Sequence, residues 1–259
     1  MNIKNQPSPT WYKEIWPDRN NIRPWVGNTK EEVDFLVKVM ELSGCEKILD
    51  LACGFGRHTI DLSRRGFSVV GVDITREFIE EAEKTAISEG LNPRFICSDI
   101  RDFSCSEQFD VVLNMSDGAI GYLEDDFENL KIFNIIVSSL KKGGKHFMHL
   151  NNAEYAEIHF PEKNWHINDN HLALPEFRWD KKSRRMLSGG MGIKFGSVVN
   201  KPDDIDFRPH SAIRLYSLQE IEEILNTRNI VIKKTFGKFD QTVPASHWES
   251  ELLVYSEKM

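Results

Sequence analysis

The stretch Ile48-Leu49-Asp50-Leu51-Ala52-Cys53-Gly54-Phe55-Gly56-Arg57-His58 decides how the rest of the chain is read. Ile48, Leu49 and Leu51 read as a parallel strand covered on both faces. Gly54 and Gly56 let the backbone turn tightly and let a ligand lie against bare main chain. A helix follows directly, over 57–65, and aims its unpaired N–H groups at that ligand. A strand, a glycine loop and a helix in this order make a nucleotide-type site.

Two acids narrow the choice. The second strand, Ser68-Val-Val-Gly-Val-Asp73, ends in a carboxylate at the spacing of a ribose ligand. A dinucleotide fingerprint needs a third glycine at position 59, where Thr59 stands, and Asp50 is a poor neighbour for a pyrophosphate. A carboxylate there suits a ligand with a cationic amine or sulfonium. A third strand, Arg94-Phe-Ile-Cys-Ser-Asp99-Ile100-Arg101, ends in another acid followed by an apolar residue. That pair can bond an adenine amine and cover its ring, so the order matches an adenosine gripped from ribose to base.

Composition closes off other classes. The chain has 259 residues, 40% hydrophobic and 28% charged, which fits one large domain or one domain with an insertion. A net charge of −7 argues against broad binding of nucleic-acid backbone. The basic run Lys181-Lys-Ser-Arg-Arg185 reads as a solvated hairpin turn. No stretch has the length of a membrane span, and the first ten residues lack a signal-peptide core. Cys45, Cys53, Cys97 and Cys105 match neither a disulfide framework nor a metal spacing, and the histidines form no close metal motif. They read as reduced thiols of a cytoplasmic protein that binds no metal.

The organisation is alternating. Residues 1–28 are polar with Trp11, Tyr12, Trp16 and Trp25, an aromatic segment that could fold over a ligand as a lid. A helix starts at Thr29, with Glu32 read as the partner in a capping box and Val33, Leu36, Val37 and Met40 as its apolar stripe. Strands at 48–53, 68–73, 94–98, 110–115 and 145–151 alternate with helices at 57–65, 76–89 and 126–141. Residues 153–212 break the rhythm, and 172–179 and 186–195 flank a polar turn like an antiparallel hairpin. This reads as an inserted β-rich flap. A helix over 217–228, capped by Ser217 with Glu220, leads to strands at 230–236 and 249–256.

These motifs together resemble the class I S-adenosylmethionine-dependent methyltransferases. The resemblance is carried by Asp50-Leu-Ala-Cys-Gly-Phe-Gly-Arg-His58, Gly71-Val-Asp73, Ser98-Asp-Ile-Arg101, Phe109-Asp-Val-Val-Leu-Asn114 and the Lys141-Lys-Gly-Gly144 turn. It covers residues 29–152, and continues through Ile213-Arg-Leu-Tyr-Ser-Leu-Gln-Glu-Ile221 in the manner of small-molecule members. It implies an α/β fold, a doubly wound seven-stranded Rossmann-like sheet. The implied order is 3-2-1-4-5-7-6, with strand 7 antiparallel and residues 29–152 and 213–259 in one domain. It also implies S-adenosyl-L-methionine as cofactor and a small-molecule acceptor at N or O.

The resemblance assigns cofactor roles residue by residue. Gly54 and Gly56 line the aminoacyl and ribose portion, and the Ala52 carbonyl accepts from the ammonium. Asp73 takes the ribose hydroxyls and Ile74 packs on the adenine. Asp99 accepts the adenine amine, with the Ile100 and Arg101 backbone nearby. Asn114 stands beside the sulfonium, and Tyr12 touches the cofactor from the lid. The acceptor side offers Tyr122, His149, Asn151 and Arg214, with Asp117 a further group in the loop after strand four. A tRNA or protein methyltransferase would want a basic channel, and a non-catalytic binding module would have its acceptor space blocked by the flap.

Overall fold

A computed structural model of the protein describes residues 7–14, 28–104, 108–167, 170–198 and 207–259. Trp16, Trp25 and Cys105 lie outside the described residues. A single turn, α1 (Trp11–Glu14), precedes α2 (Thr29–Val39). The alternation then runs β1 (Lys47–Leu51), α3 (Arg57–Arg64), β2 (Ser68–Asp73), α4 (Arg76–Ser88), β3 (Arg94–Cys97), β4 (Phe109–Asn114), α5 (Asp126–Ser139) and β5 (Leu140–Asn151). After β5 come α6 (Ala153–His159), the short β6 (Glu162–Lys163) and β7 (His166–Ile167), then β8 (His171–Asp180), β9 (Arg185–Lys194) and β10 (Ser211–Arg214). The chain closes with α7 (Leu218–Asn226), β11 (Ile230–Phe236) and β12 (Glu251–Lys258).

The main sheet runs β3-β2-β1-β4-β5-β12-β11. β1 pairs parallel with β2 and β4, β2 with β3 and β4 with β5, whereas β12 lies antiparallel to both β5 and β11. The last strand therefore enters between β5 and β11, the expected 3-2-1-4-5-7-6 order. Side chains alternate across the sheet, as the pleat requires. Ile48, Val111, Leu113 and Phe147 face Val33 and Leu36 of α2 and Met40 just after it. Leu49, Val112, Met148 and Leu150 face Ile132, Phe133 and Ile136 of α5 and Ile221 of α7.

Helix starts separate into local and tertiary cases. Ser217 and Glu220 form the expected reciprocal capping box on α7. At α2 the capping residue is Asn28, whose side chain accepts from Glu31 N, so the capping box read at Thr29 and Glu32 is not formed. Glu32 is instead buried, at 7% exposure, and serves the site described below. Thr75 occupies the cap position of α4 without a side-chain capping bond.

The hairpin read at 172–195 is β8 paired with β9 over ten residues, and it belongs to a larger antiparallel sheet ordered β10-β9-β8-β6, with β7 also on β8. This second sheet lies over the main core through Met186, Ile213 and Leu215. Polar pins hold it there. Arg185 donates to the carbonyls of Ala212 and Leu123, and Arg184 pairs with Glu220 at 2.7 Å. The basic run is thus partly structural rather than wholly solvated. Backbone contact does the rest, because Arg214 N donates to Gly121 O at 2.8 Å. Gly121 has φ +89, and a Cβ there would meet the Arg214 carbonyl oxygen at 2.0 Å.

One polar network crosses three strands of the main sheet. His146 on β5 is fully buried; its Nε2 donates to Asn114 Oδ1 on β4, and its Nδ1 accepts from Ser256 Oγ on β12. Burial alone pushes the imidazole pKa down to about 3.

Two outcomes are expected. Gly121→Ala should destabilise by about 3 kcal/mol, from the left-handed φ plus the clash, lowering Tm by about 6–12 °C. Gly66→Ala, with φ +91 but open space around a Cβ, should cost only about 1 kcal/mol in the same thermal scan. His146 binds a proton in the unfolded chain below about pH 6.5 but not in the fold until about pH 3. Stability should therefore fall by roughly 1.4 kcal/mol per pH unit on acidification across that window. His146→Gln should remove one proton's worth of that slope in denaturant titrations between pH 6 and pH 4, and an unchanged slope would contradict the assignment.

Candidate active site

The glycine loop is built on buried carboxylates. Asp73, at the end of β2, accepts from Gly54 N and from Thr75 N, both at 2.8 Å. One side chain thus fixes the loop after β1 and the entry to α4. Burial pushes the Asp73 carboxyl above its usual range, and the Thr75 and Gly54 amides pull it back. Gly56 begins α3 at φ +74, where a Cβ would press on Phe95 and Ala82 at about 3 Å. Asp50 is 1% exposed; its Oδ2 accepts from Thr59 Oγ1 at 2.7 Å, whereas its Oδ1 has no partner. Thr59, standing where a dinucleotide fold has its third glycine, is the donor that keeps Asp50 in place. Burial raises the Asp50 carboxyl as well.

Behind the loop, Glu32 of α2 accepts from Arg57 and from His58 Nε2, each at 2.6 Å. Burial works against its charge, yet bonds to His58 and Arg57 hold its pKa at about 2. Burial pushes the His58 imidazole below its ordinary range, against the pull of the Glu32 bond. Arg57 also reaches Thr29 Oγ1 and Ser116 Oγ, so it ties α2, the glycine loop and the loop after β4 together.

That last loop has an unusual backbone. Ser116, Asp117, Gly118 and Ala119 all have positive φ, between 52° and 70°. Left-handed conformation costs a non-glycine residue roughly 1–2 kcal/mol, so surrounding bonds must over-determine it. Asp117 N donates to His149 O, and the Asp117 carboxylate accepts from Asn151 N and Nδ2 and from Tyr122 OH. Farther along, Asn129 of α5 accepts from Gly121 N and Leu123 N. Burial raises the Asp117 carboxyl, with the His149 ring and the Asn151 bonds opposing.

A cavity of about 670 Å³ runs from the glycine loop to the underside of the second sheet. Of the residues expected to bind cofactor, Tyr12, Ala52, Gly54, Asp73 and Ile74 line it. Gly56, Asp99, Ile100, Arg101 and Asn114 are not among its lining residues. Asp99 is held in the fork of Arg101 at 2.6–3.2 Å, and Arg101 also pairs with Glu124 and Glu128 and donates to Tyr12 OH. Asn114, expected at the cavity, has Oδ1 committed to His146 and Nδ2 to Gly118 O.

Of the acceptor-side residues, Tyr122, His149 and Asn151 line the cavity and Arg214 does not. Arg214 faces the opposite side of its strand, paired with Glu220 at 2.5 Å and set over the Tyr216 ring, while Ile213 and Leu215 face the cavity. Its charge is spent on a structural ion pair. His149 has Nε2 at 3.7 Å from Glu251, Nδ1 without a partner and its ring edge-on to Phe239. Trp11 and Tyr12 are buried, and Trp11 packs at 4.9 Å on Tyr122. The residues missed from sequence are Glu32, Arg57 and His58 and the cavity-facing Phe177 and Met186 of the second sheet. An acid in the first turn of α2 gave only a capping signal, although Arg57-His58 directly after the glycine loop was a visible pair in need of a carboxylate.

The residues present suit an adenosyl sulfonium amino acid. Asp50 offers an orphaned buried oxygen, and a Cβ at Gly54, at φ +57, would meet only open space. Comparison with known proteins agrees. Residues 48–144 match the family model described as a methyltransferase domain. YqeM of Bacillus subtilis strain 168, classed by name as a methyltransferase, is 25% identical over 222 residues, covering 83% of this chain and 87% of that protein. The glycine/sarcosine N-methyltransferase of Aphanothece halophytica is 27% identical over 178 residues, 67% of this chain and 66% of that one. In fold, an S-adenosylmethionine-dependent methyltransferase from Clostridium acetobutylicum superposes with a TM-score of 0.75 at 19% identity, covering 95% of this chain and 98% of that one. Residues 48–144 thus form a class I S-adenosylmethionine-dependent methyltransferase domain, and the chain as a whole has the fold of such enzymes.

Proposed function

We propose that the protein transfers the methyl group of S-adenosylmethionine to a nitrogen or oxygen of a small molecule. The observation that carries this reading is the continuity of the cavity. One end is the glycine loop with Asp50, Gly54 and Asp73; the other is roofed by Phe177, Met186 and Ile213. A volume of about 670 Å³ is in the range of small-molecule sites and leaves space past the loop for a second, compact ligand. That open acceptor space supports a transferase over a non-catalytic binding module. A roofed site on a chain of net charge −7 supports a small molecule over tRNA. The glycine/sarcosine relative adds weight to the same side.

When bound, the cofactor supplies an already activated methyl group. In this reading Asp50 Oδ1 and the Ala52 carbonyl take its ammonium. Asp73 takes its ribose hydroxyls and Ile74 covers its adenine. Asp99, Ile100 and Arg101 bound the adenine end, and Gly56 shapes the loop without touching the ligand. The protein's own task is alignment and exclusion of water, because a held near-attack geometry can supply several kcal/mol. His149 and Asp117 are the cavity groups able to take a proton from an acceptor. The described strands between 162 and 212 act as the roof, and Trp11 and Tyr12 of the N-terminal aromatic segment cover the cavity. Three described cysteines, Cys45, Cys53 and Cys97, are free thiols, in keeping with a cytoplasmic setting.

Asp73→Ala should weaken S-adenosylmethionine binding more than tenfold by calorimetry, since charge-assisted hydrogen bonds are worth roughly 1.5–3 kcal/mol. Thermal scans of the variant separate this from loss of the Gly54 and Thr75 bonds. Unchanged affinity would remove Asp73 from the cofactor site. In gel-shift at physiological salt the protein should not retain tRNA; micromolar, steeply salt-sensitive retention would favour a tRNA acceptor instead.

A further inference from the structure

The acceptor half of the cavity has a one-signed charge. Asp117, Glu162 and Glu251 line it, and their side-chain partners are neutral groups or histidine. Asp117 bonds Asn151 and Tyr122, Glu162 bonds Tyr155 OH and Asn164, and Glu251 faces His149 at 3.7 Å. Among the described residues, the one Lys or Arg lining the cavity is Arg57, already bonded to Glu32, Thr29 and Ser116. Carboxylates gathered around a partly dry space without a basic partner are costly unless a ligand brings the opposite charge.

Aromatic faces accompany them. Tyr155, Phe160 and Phe177 wall the same half, with Phe160 and Phe177 stacked at 6.0 Å and Tyr155 edge-on to Phe160 at 6.2 Å. Such faces attract cations and also cover an apolar body. Trp11, 5% exposed and lining the same cavity, has an Nε1 donor with no partner among the described residues, available to an oxygen on the ligand.

Resting on the methyltransferase reading, we propose that the acceptor is a small amine that arrives as its ammonium ion on an apolar or aromatic body. The same charges disfavour carboxylated acceptors, because among the described residues no Lys or Arg other than the committed Arg57 lines the space that would hold their acid group. Nitrogen is then the methylated atom: the ammonium gives one proton to Asp117 or His149, the freed lone pair forms the N–C bond as the methyl's bond to sulfur breaks, and S-adenosylhomocysteine leaves.

The test uses the full chain saturated with S-adenosylhomocysteine and three probes of one shape: 2-phenylethylamine, 2-phenylethanol and 3-phenylpropanoate. Ligand-observed NMR titration should show the amine binding at least about tenfold more tightly than the alcohol, and the carboxylate weakest, at neutral pH. Glu162→Gln and Glu251→Gln should each reduce amine affinity about three- to tenfold and leave alcohol affinity unchanged, with S-adenosylhomocysteine affinity retained as the check on folding. Equal affinity for amine and alcohol, preference for the carboxylate, or no binding of any probe to the cofactor-saturated protein overturns the amine inference alone. Failure of S-adenosylhomocysteine itself to bind would overturn the underlying cofactor reading instead.

Discussion

The site depends on where the Asp73 carboxylate can put its two oxygens. One holds Gly54 N and the other Thr75 N, so the turn after the first strand and the start of the helix after the second are set by a single side chain. A buried carboxylate prefers not to be charged, and backbone amides are the donors that make its charge tolerable. Displacing either amide would leave one of the two carboxylate oxygens without its backbone donor. The glycine loop is thereby rigid before any ligand arrives, which suits a site whose chemistry rests on alignment.

A second layer of buried charge stands behind it. Glu32, Arg57 and His58 sit within 2.6 Å contacts and link the helix before the sheet to the loops that bear the ligand. Removing Glu32 leaves the buried Arg57 without its carboxylate, an outcome that costs roughly 3–5 kcal/mol in comparable buried pairs. Packing of α2 and shape of the cofactor loop are therefore not separable properties of this protein.

Much of this was legible in the sequence, because the signals were local. Strand, glycine turn and helix at 48–65 follow from hydrophobic runs and glycine placement, as does the Ser217 and Glu220 cap. Glu32 was misread for the same reason: three-residue spacing from Thr29 is a local pattern, whereas its real partners lie 25 and 26 residues away. Arg214 and Asn114 show the limit from another side. Which face of a strand meets the cavity was visible as alternation, but which alternate face was the wet one depended on partners in α7 and β5. The left-handed run at Ser116–Ala119 left no mark except one glycine, Gly118, since its bonds come from β5.

The second sheet meets the loop after β4 through main chain as much as through side chains. Gly121 and Arg214 share a backbone bond with no room for a Cβ between them, and Arg185 reaches the carbonyls of Leu123 and Ala212. Roof and floor of the cavity are consequently one mechanical piece, without a seam along which the roof could be exchanged by itself. Redesign of acceptor choice by swapping 153–214 for the equivalent segment of a relative would import a foreign register against Gly121. A chimera must carry the loop Met115–Leu123 together with its roof, and point changes on the cavity-facing side of β8 and β9 are the more economical route to a new acceptor.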